Sequence, residues 1–178
     1  MSRLQNSPNS DFEKLALPLL DSLYNFARWL SGDADEARDL VQETFAKALK
    51  GFGGFQEGTN FRAWMFRILR NTFLTSRTGL EQRNTLQAEE GGMEDAAVDH
   101  ETPELKMLRH ADTEMVQKAI AQLSPVFKEV LLLADIEEMK YQEVADALNI
   151  PMGTVMSRLA RARKQVRDYI LQTAGGKR

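Results

Sequence analysis

The chain has 178 residues, with 23 Lys and Arg, 26 Asp and Glu, two His and no Cys. Its 43% share of hydrophobic residues is near the globular average, which excludes a chain that is disordered throughout. The lack of Cys excludes a disulfide framework and cysteine-ligated metal sites. Since the first ten residues are unlike a signal peptide and no apolar run approaches ~20 residues, we expect a cytoplasmic protein that does not insert into membranes.

The net charge of −3 is unevenly distributed along the chain. Residues 81–114 carry ten acids against three bases, whereas residues 62–77 carry four arginines and no acid. Residues 154–178 carry seven bases against one acid. Because phosphate contacts act within a Debye length of ~8–10 Å, the two basic segments are compatible with nucleic-acid binding despite the negative total. Each block taken alone is also typical of a solvated face.

Apolar residues recur at helical spacing between Asp11 and Lys50 and predict two helices after a disordered N-terminus, residues 1–10. Gly32 is the expected end of the first helix, and Asp33 or Asp35 is the expected N-cap of the second. The residues expected on the core-facing side are Leu15, Leu19, Leu23, Phe26, Leu30, Leu40, Val41, Phe45 and Leu49.

Four glycines between Gly51 and Gly58 predict a flexible loop that carries Phe52 and Phe55. Asn60 is the expected cap of a third helix. The apolar face of that helix is predicted to consist of Phe61, Trp64, Met65, Ile68, Leu69 and Phe73, with Arg62, Arg67 and Arg70 around it. Helical spacing makes Trp64 and Phe73 typical of a core, whereas the two loop phenylalanines suit either a core or a stacking surface.

Periodicity lapses after residue 78, and residues 79–112 are predicted to be a flexible acidic linker whose last part, from Thr102, is compatible with a helix. Ser124 and Pro125 predict an N-cap and first helical residue, followed by a buried helix of about three turns up to Ile136. No segment alternates at period two for long enough to predict a strand. We therefore expect an all-α fold of two small helical domains, the second spanning residues 113–172, with a tail at 173–178.

Residues 141–167 have the spacing of a helix-turn-helix. Asn149 occupies the turn position where left-handed backbone is usual, the small Ala145 is expected to let the helices cross closely, and Val155 to fill the core between them. The exposed face of the second helix is predicted to offer donors to base edges and phosphates in a major groove, namely Thr154, Ser157, Arg158, Arg161 and Lys164. Any αα-hairpin with a basic outer face would share this pattern.

Three segments of this half resemble the promoter-binding C-terminal domain of bacterial sigma factors: residues 123–133 (LSPVFKEVLLL), 141–145 (YQEVA) and 153–163 (GTVMSRLARAR). The sequence departs from the usual family pattern at Met156, where Lys or Arg is common, and at Ala160, where larger side chains are common. LuxR-type regulators end in a similar helix-turn-helix, so the N-terminal half decides between these classes.

Residues 35–48 (DEARDLVQETFAKA) are similar to the helix with which sigma factors hold the clamp coiled coil of RNA polymerase. Residues 61–72 (FRAWMFRILRNT) are similar to the helix that engages the upstream melted promoter element. In this order, and followed by the helix-turn-helix, these segments resemble the extracytoplasmic-function (ECF) group of the sigma-70 family.

The resemblance implies that residues 11–78 form sigma domain two and residues 113–172 form sigma domain four. Its implied partners are core RNA polymerase, promoter DNA in duplex and single-stranded form, and an anti-sigma factor. Polymerase contacts are implied at Asp39, Gln42, Glu43 and Phe45, although spacing alone also fits a solvated face. Contacts to the melted element are expected at Phe55, Thr59, Asn60, Trp64, Arg67 and Asn71.

An enzyme is not indicated. His100 and His110 lie in the predicted linker without a second histidine at metal-ligand spacing or a nucleophile motif, so we expect no catalytic residue, cofactor or metal. Two other classes remain: a helix-turn-helix regulator that acts without polymerase, and a sigma-like decoy that sequesters an anti-sigma factor without binding DNA. The basic second helix argues against the decoy.

Overall fold

The computed structural model describes residues 8–56, 58–78 and 113–175. Within these ranges all regular structure is helical, and the helices fall into two compact units. The first unit contains α1 (Pro8–Ala16), α2 (Leu20–Ser31), α3 (Ala34–Gly51) and α4 (Phe61–Ser76). The second contains α5 (Thr113–Ala121), α6 (Pro125–Leu131), α7 (Tyr141–Leu148) and α8 (Met152–Gly175). The predicted all-α fold with two helical domains is confirmed.

Several predictions from the sequence fall outside the described residues. These predictions concern most of the N-terminus expected to be disordered, the acidic linker with its two histidines and the helix start at Thr102, and the last three residues of the tail. The two ends of the described chain are more helical than predicted, since α1 begins at Pro8 and α8 continues to Gly175. Among the described helices, none combines the length and apolar character needed to cross a bilayer.

The prediction of one continuous helix before Gly32 is wrong, because a short 3₁₀ turn at Leu17–Leu19 separates α1 from α2. Pro18 lies in this turn, where its missing N–H and its ring are incompatible with a continuous α-helical ladder. The turn changes the phase of the apolar pattern. Phe12 and Ala16 are therefore the buried residues of α1, whereas Leu15, expected in the core, is 46% exposed.

The core of the first unit lies where α2, α3 and α4 pack on one another. Phe66 is 1% exposed, and its ring meets the ring of Phe26 edge-on at 5.4 Å. Two expectations about the buried faces are wrong, because Phe66 was not expected in the core and Leu49, which was, is 41% exposed. Phe61, Trp64, Ile68 and Phe73 are half-buried rather than buried.

The junction between α2 and α3 is capped as the sequence predicts. Gly32 has a φ of 74° and donates its N–H to Arg28 O at 2.9 Å. Of the two candidate N-caps, Asp33 is the one used, since its Oδ1 accepts from the N–H groups of Asp35 and Glu36 at 2.9 and 2.8 Å. The hydrogen bond from Glu36 N–H is the largest cause that lowers the pKa of the Asp33 carboxyl below its usual 3.8.

In the second unit α8 packs against α6 and α5. The chain is helical up to Ile136 as predicted, but α6 ends at Leu131 and the chain continues as a π-helical turn, Leu132–Ile136. Ile136 is consequently 48% exposed, whereas Leu132 and Leu133 are buried. Pro125 is the first residue of α6 as predicted, but the side chain of Ser124 makes no capping hydrogen bond.

Candidate nucleic-acid interface

Six aromatic side chains of the first unit contact one another around the start of α4. This aromatic cluster is made up of Phe12 from α1, Phe45 from α3, Phe52 and Phe55 from the connection after α3, and Phe61 and Trp64 from α4. Phe12 is 4% exposed, and the other five rings are half-buried. The cluster thus has a buried end and a partly exposed end.

The two loop phenylalanines, left open between core and stacking surface, are half-buried and pack against other rings. Phe52 and Phe55 lie parallel, with 6.2 Å between ring centroids, and Phe55 is 5.0 Å from the ring of Trp64. The connection that carries them is a 3₁₀ turn, Phe52–Gly54, closed by Phe55 N–H donating to Phe52 O at 3.0 Å. The predicted flexible loop is therefore partly ordered by ring contacts.

Thr59 and Asn60 fix the turn that leads into α4. Asn60 Oδ1 accepts from Ala63 N–H at 2.8 Å, which confirms Asn60 as the N-cap. Thr59 Oγ1 donates to Gln56 O at 2.7 Å, so its hydroxyl oxygen keeps lone pairs that can accept a hydrogen bond. Both residues lie within a few positions of Phe55 and Phe61 on this turn.

The arginines between residues 62 and 77 differ in their surroundings. The guanidinium of Arg77 binds both carboxylate oxygens of Glu36 at 2.7 and 2.9 Å and lies 5.2 Å from the ring centroid of Phe73. Arg77 therefore ties the end of α4 to the start of α3 and should not be counted among DNA-binding charges of residues 62–77. Arg67 is half-buried and Asn71 is exposed.

The implied polymerase-binding residues divide into two groups. Asp39, Gln42 and Glu43 are exposed on α3, where Glu43 also pairs with Lys47 at 2.7 Å. Phe45 instead is half-buried and meets the ring of Phe12 edge-on at 6.2 Å. The first three form an acidic and polar surface, whereas Phe45 belongs to the aromatic cluster.

The helix-turn-helix of the second unit forms where the sequence predicts it. Asn149 has a φ of 55°, and Pro151 O accepts the N–H groups of Thr154 and Val155 at 3.0 and 3.1 Å at the start of α8. Val155 is completely buried and Ala145 is 4% exposed. The short link between these two helices needs a residue with left-handed backbone, and Asn149 supplies it.

The predicted DNA-reading side chains lie away from the buried residues of α8. Thr154, Ser157, Arg158 and Arg161 are half-buried, and Lys164 is exposed. Sequence reasoning did not select Gly153 and Ala160 for this face, although both are exposed. The 3.6-residue period could have found them, because the inward positions Val155, Leu159 and Ala162 place Gly153, Ser157, Ala160 and Lys164 on the opposite line of the helix.

Arg163 of α8 has its charged group turned inward. Its guanidinium binds both carboxylate oxygens of Asp135 at 2.7 and 3.0 Å, and the two side chains are only 11% and 6% exposed. Burial opposes its charge, but the hydrogen bond and charge of Asp135, together with Tyr141, outweigh it and raise the pKa of Arg163 above its usual value. Arg163, one of the seven bases counted between residues 154 and 178, therefore has its charge offset by Asp135.

No group of three or more His, Asp or Glu residues that could hold a metal ion occurs in the described ranges.

Two protein families match the chain. Residues 15–82 match Sigma-70 region 2, and residues 113–166 match Sigma-70 region 4. The chain is 33% identical over 162 residues to the ECF RNA polymerase sigma factor SigE of Mycolicibacterium smegmatis, covering 89% of this chain and 61% of that relative. It is 32% identical over 178 residues to the RNA polymerase sigma-H factor of Pseudomonas aeruginosa, covering 97% of this chain and 92% of that relative.

The chain belongs to the ECF group of the sigma-70 family. Among solved structures, this ECF sigma factor is similar to the sigma factor RpoE of Bartonella quintana, crystallised with the anti-sigma factor NepR. The TM-score is 0.68 at 30% identity, covering 89% of this chain and 96% of that one. As a sigma factor it is not an enzyme.

Within this ECF sigma factor, the α3 surface and the aromatic cluster apart from Phe12 lie in the segment that matches region 2. The helix-turn-helix lies in the segment that matches region 4. Only α1 extends well before the region 2 match, which begins at residue 15.

Proposed function

We propose that this chain binds core RNA polymerase in the cytoplasm and directs it to promoters, where the first unit captures bases of the melted strand and the second holds duplex DNA. One observation supports this most directly. A single short chain carries two different surfaces suited to nucleic acid, a partly exposed aromatic cluster in one unit and a helix-turn-helix in the other.

The aromatic cluster suits the capture of unpaired bases because opening DNA needs no bond chemistry. It needs a site that binds unstacked bases better than paired ones, and that difference shifts the melting equilibrium. Stacking on an aromatic side chain contributes ~1–3 kcal/mol per base, against a mean of ~1.4 kcal/mol for a base-pair step. One or two bases held near Phe55 and Trp64 would therefore decide melting locally, with Thr59, Asn60, Arg67 and Asn71 as further contacts.

The second unit suits duplex DNA because α8 presents donors on its outward face. Arg158, Arg161 and Lys164 can neutralise phosphates or reach guanine edges, and Thr154 and Ser157 can serve either role. Ala160, exposed on the same face, adds a methyl group that can contact thymine.

We propose the exposed surface of Asp39, Gln42 and Glu43 as the contact with polymerase. Two carboxylates and an amide on one helix face favour a basic partner, and such a contact weakens with added salt. Phe45, half-buried in the aromatic cluster, is a further candidate for this contact.

The similar sigma factor of Bartonella quintana forms a complex with an anti-sigma factor. By this likeness we propose that an anti-sigma factor also holds this chain inactive.

The test is transcription in vitro with purified core polymerase on genomic DNA, followed by sequencing of the RNA 5′ ends. With the wild-type chain, we expect defined start sites that share an upstream promoter element. Replacing Arg158 and Arg161 together by Ala should abolish them. Lys118→Ala, which removes a base on α5 of the same unit, should not.

Two other results would contradict the proposal. A footprint on promoter DNA by the chain alone, unchanged by core polymerase, would favour a regulator that acts without polymerase. Failure to bind core polymerase, combined with tight binding of an anti-sigma factor, would favour a decoy.

A further inference from the structure

We propose that Phe12 is a positioning residue for base capture, through which α1 holds the aromatic cluster in its binding geometry. This inference rests on the function proposed above. Phe12 lies before the segment that matches region 2, so the family match assigns it no role. Its own ring is buried and cannot meet a base, and it would act only through the rings it touches.

Phe12 contacts the two rings at the base of the cluster. Its centroid lies 5.4 Å from that of Phe52 and 6.2 Å from that of Phe61, and both contacts are edge-on, at 69° and 76°. A third edge-on contact joins it to Phe45 of α3. Phe12 therefore bridges three segments: α3, the connection after it, and the start of α4.

Phe52 and Phe61 in turn contact the rings of Phe55 and Trp64. Phe52 stacks on Phe55 at an interplanar angle of 8°, and Phe61 meets Phe55 edge-on at 5.3 Å. Phe61 also lies 5.6 Å from Trp64, which is 5.0 Å from Phe55. The position of the proposed base-stacking pair thus depends on two rings that Phe12 supports.

The backbone of the connection offers little alternative support. A Cβ added at Gly53 or Gly54 would meet no atom within 4 Å, so the space where a side chain would project is open at these positions. Gly58 has a φ of 90°, which only a residue without a side chain adopts readily. Ring contacts are consequently the main tertiary restraint on Phe55, and loss of the Phe12 ring should loosen it.

The matched control is Phe26. It is 1% exposed in the same unit and makes one edge-on ring contact, with Phe66, away from the connection. Phe12→Leu and Phe26→Leu both remove a buried ring and keep an apolar side chain. They should therefore lower the unfolding temperature comparably, while only the first should disturb base capture. Phe12→Met, whose thioether still contacts aromatic rings, is a milder companion should Phe12→Leu not fold.

The first experiment examines the free chain. In a Trp29→Phe background Trp64 is the sole tryptophan, and its quenching by acrylamide reports exposure of the cluster. We expect Phe12→Leu to raise the quenching constant about twofold or more, as expected for a half-buried indole that becomes exposed. Phe26→Leu should leave it near the reference value. Equal quenching in both variants would overturn the proposal.

The second experiment uses holoenzyme with each variant and a promoter from the transcription assay. The probe is a single-stranded oligonucleotide of its nontemplate strand. We expect Phe12→Leu to weaken binding about fivefold or more, the scale of losing one stacked base, and Phe26→Leu to change it less than twofold. Holoenzymes with either variant should bind duplex DNA that carries only the distal promoter element with the same affinity.

The outcomes separate the two proposals. If the wild-type holoenzyme fails to bind the single strand, the proposed function is wrong, while the quenching result still decides whether Phe12 orders the cluster. If the wild type binds and Phe12→Leu binds as Phe26→Leu does, the role of Phe12 is overturned and the proposed function stands.

Discussion

At the scale of single residues, side chains that look alike in the sequence do different things. Arg163 and Lys164 are adjacent bases on α8, yet the first is held by Asp135 with its side chain 11% exposed and the second is exposed. Asp33 and Asp35 are both acids near a helix start, but only Asp33 is the cap. Neighbouring groups in the fold therefore decide each role.

The cap at Asp33 should make the first unit sensitive to acid. Because the folded-state pKa of Asp33 is lowered from 3.8, its stabilising contribution is present above pH 3.8 and is lost as the pH falls below that value. We expect Asp33→Ala to lower the unfolding temperature by a few degrees at pH 7, with a smaller difference from wild type at pH 3. Asp33→Asn, which can still cap, should retain most of the stability at both values. An equal loss for Ala and Asn would contradict this role.

Removing one member of the buried pair of Asp135 and Arg163 should destabilise the second unit more than replacing both. Asp135→Ala leaves a buried guanidinium and should lower the free energy of unfolding of the second unit by about 3 kcal/mol. The double variant Asp135→Leu with Arg163→Met should recover much of this. Asp168→Ala, in a half-exposed pair with Arg167, should cost less than about 1 kcal/mol. Urea unfolding measures all three, and a double variant no better than Asp135→Ala would count against the pair.

At the scale of elements, the turn of the helix-turn-helix depends on one backbone angle. Asn149 has left-handed geometry, which costs a side chain branched at Cβ about 1–2 kcal/mol. We expect Asn149→Val to destabilise the second unit by that amount and to weaken duplex binding, and Asn149→Gly to change stability by less than about 0.5 kcal/mol. Unfolding in urea and binding to the distal element provide the measurements. A valine variant as stable as the glycine variant would show that the turn tolerates other geometry.

Elements fixed by local chemistry could be predicted from the sequence, and elements fixed by distant partners could not. The Gly32 stop, the Asn60 cap and the Asn149 turn follow from side chains acting on backbone a few residues away. The buried places of Phe12 and Phe66 depend on rings in other helices. The place of Phe12 was also ambiguous because the Pro18 turn shifts the phase of the pattern between α1 and α2.

The candidate site divides in the same way. Helical spacing placed Thr154, Ser157 and Lys164 on the outward face of α8, because that face follows directly from the buried positions of the same helix. The same spacing missed that Arg77 is paired with Glu36 and that Phe45 joins the aromatic cluster. The first assignment needed the packing of the end of α4 against α3, and the second needed the packing of α1 against α3.

At the scale of the whole molecule, each unit has its own buried core, which favours separate unfolding transitions. We expect Asp33→Ala to shift only one transition in differential scanning calorimetry and Asp135→Ala to shift only the other. In the double variant the two shifts should be additive, because distant sites without shared partners act independently. A single transition moved by both substitutions would show instead that the units unfold together.

The π-helical turn at Leu132–Ile136 limits how the length of the second unit can vary. A π-turn holds one more residue than an α-turn over the same rise, and the surplus residue places Asp135 beside Arg163. Deleting Ala134 would remove the surplus residue and restore ordinary α geometry, so that Asp135 would lose its place beside Arg163. Insertions and deletions should therefore be far rarer here in related chains than conservative replacements, and a gap at this place would coincide with loss of the acid or of its arginine.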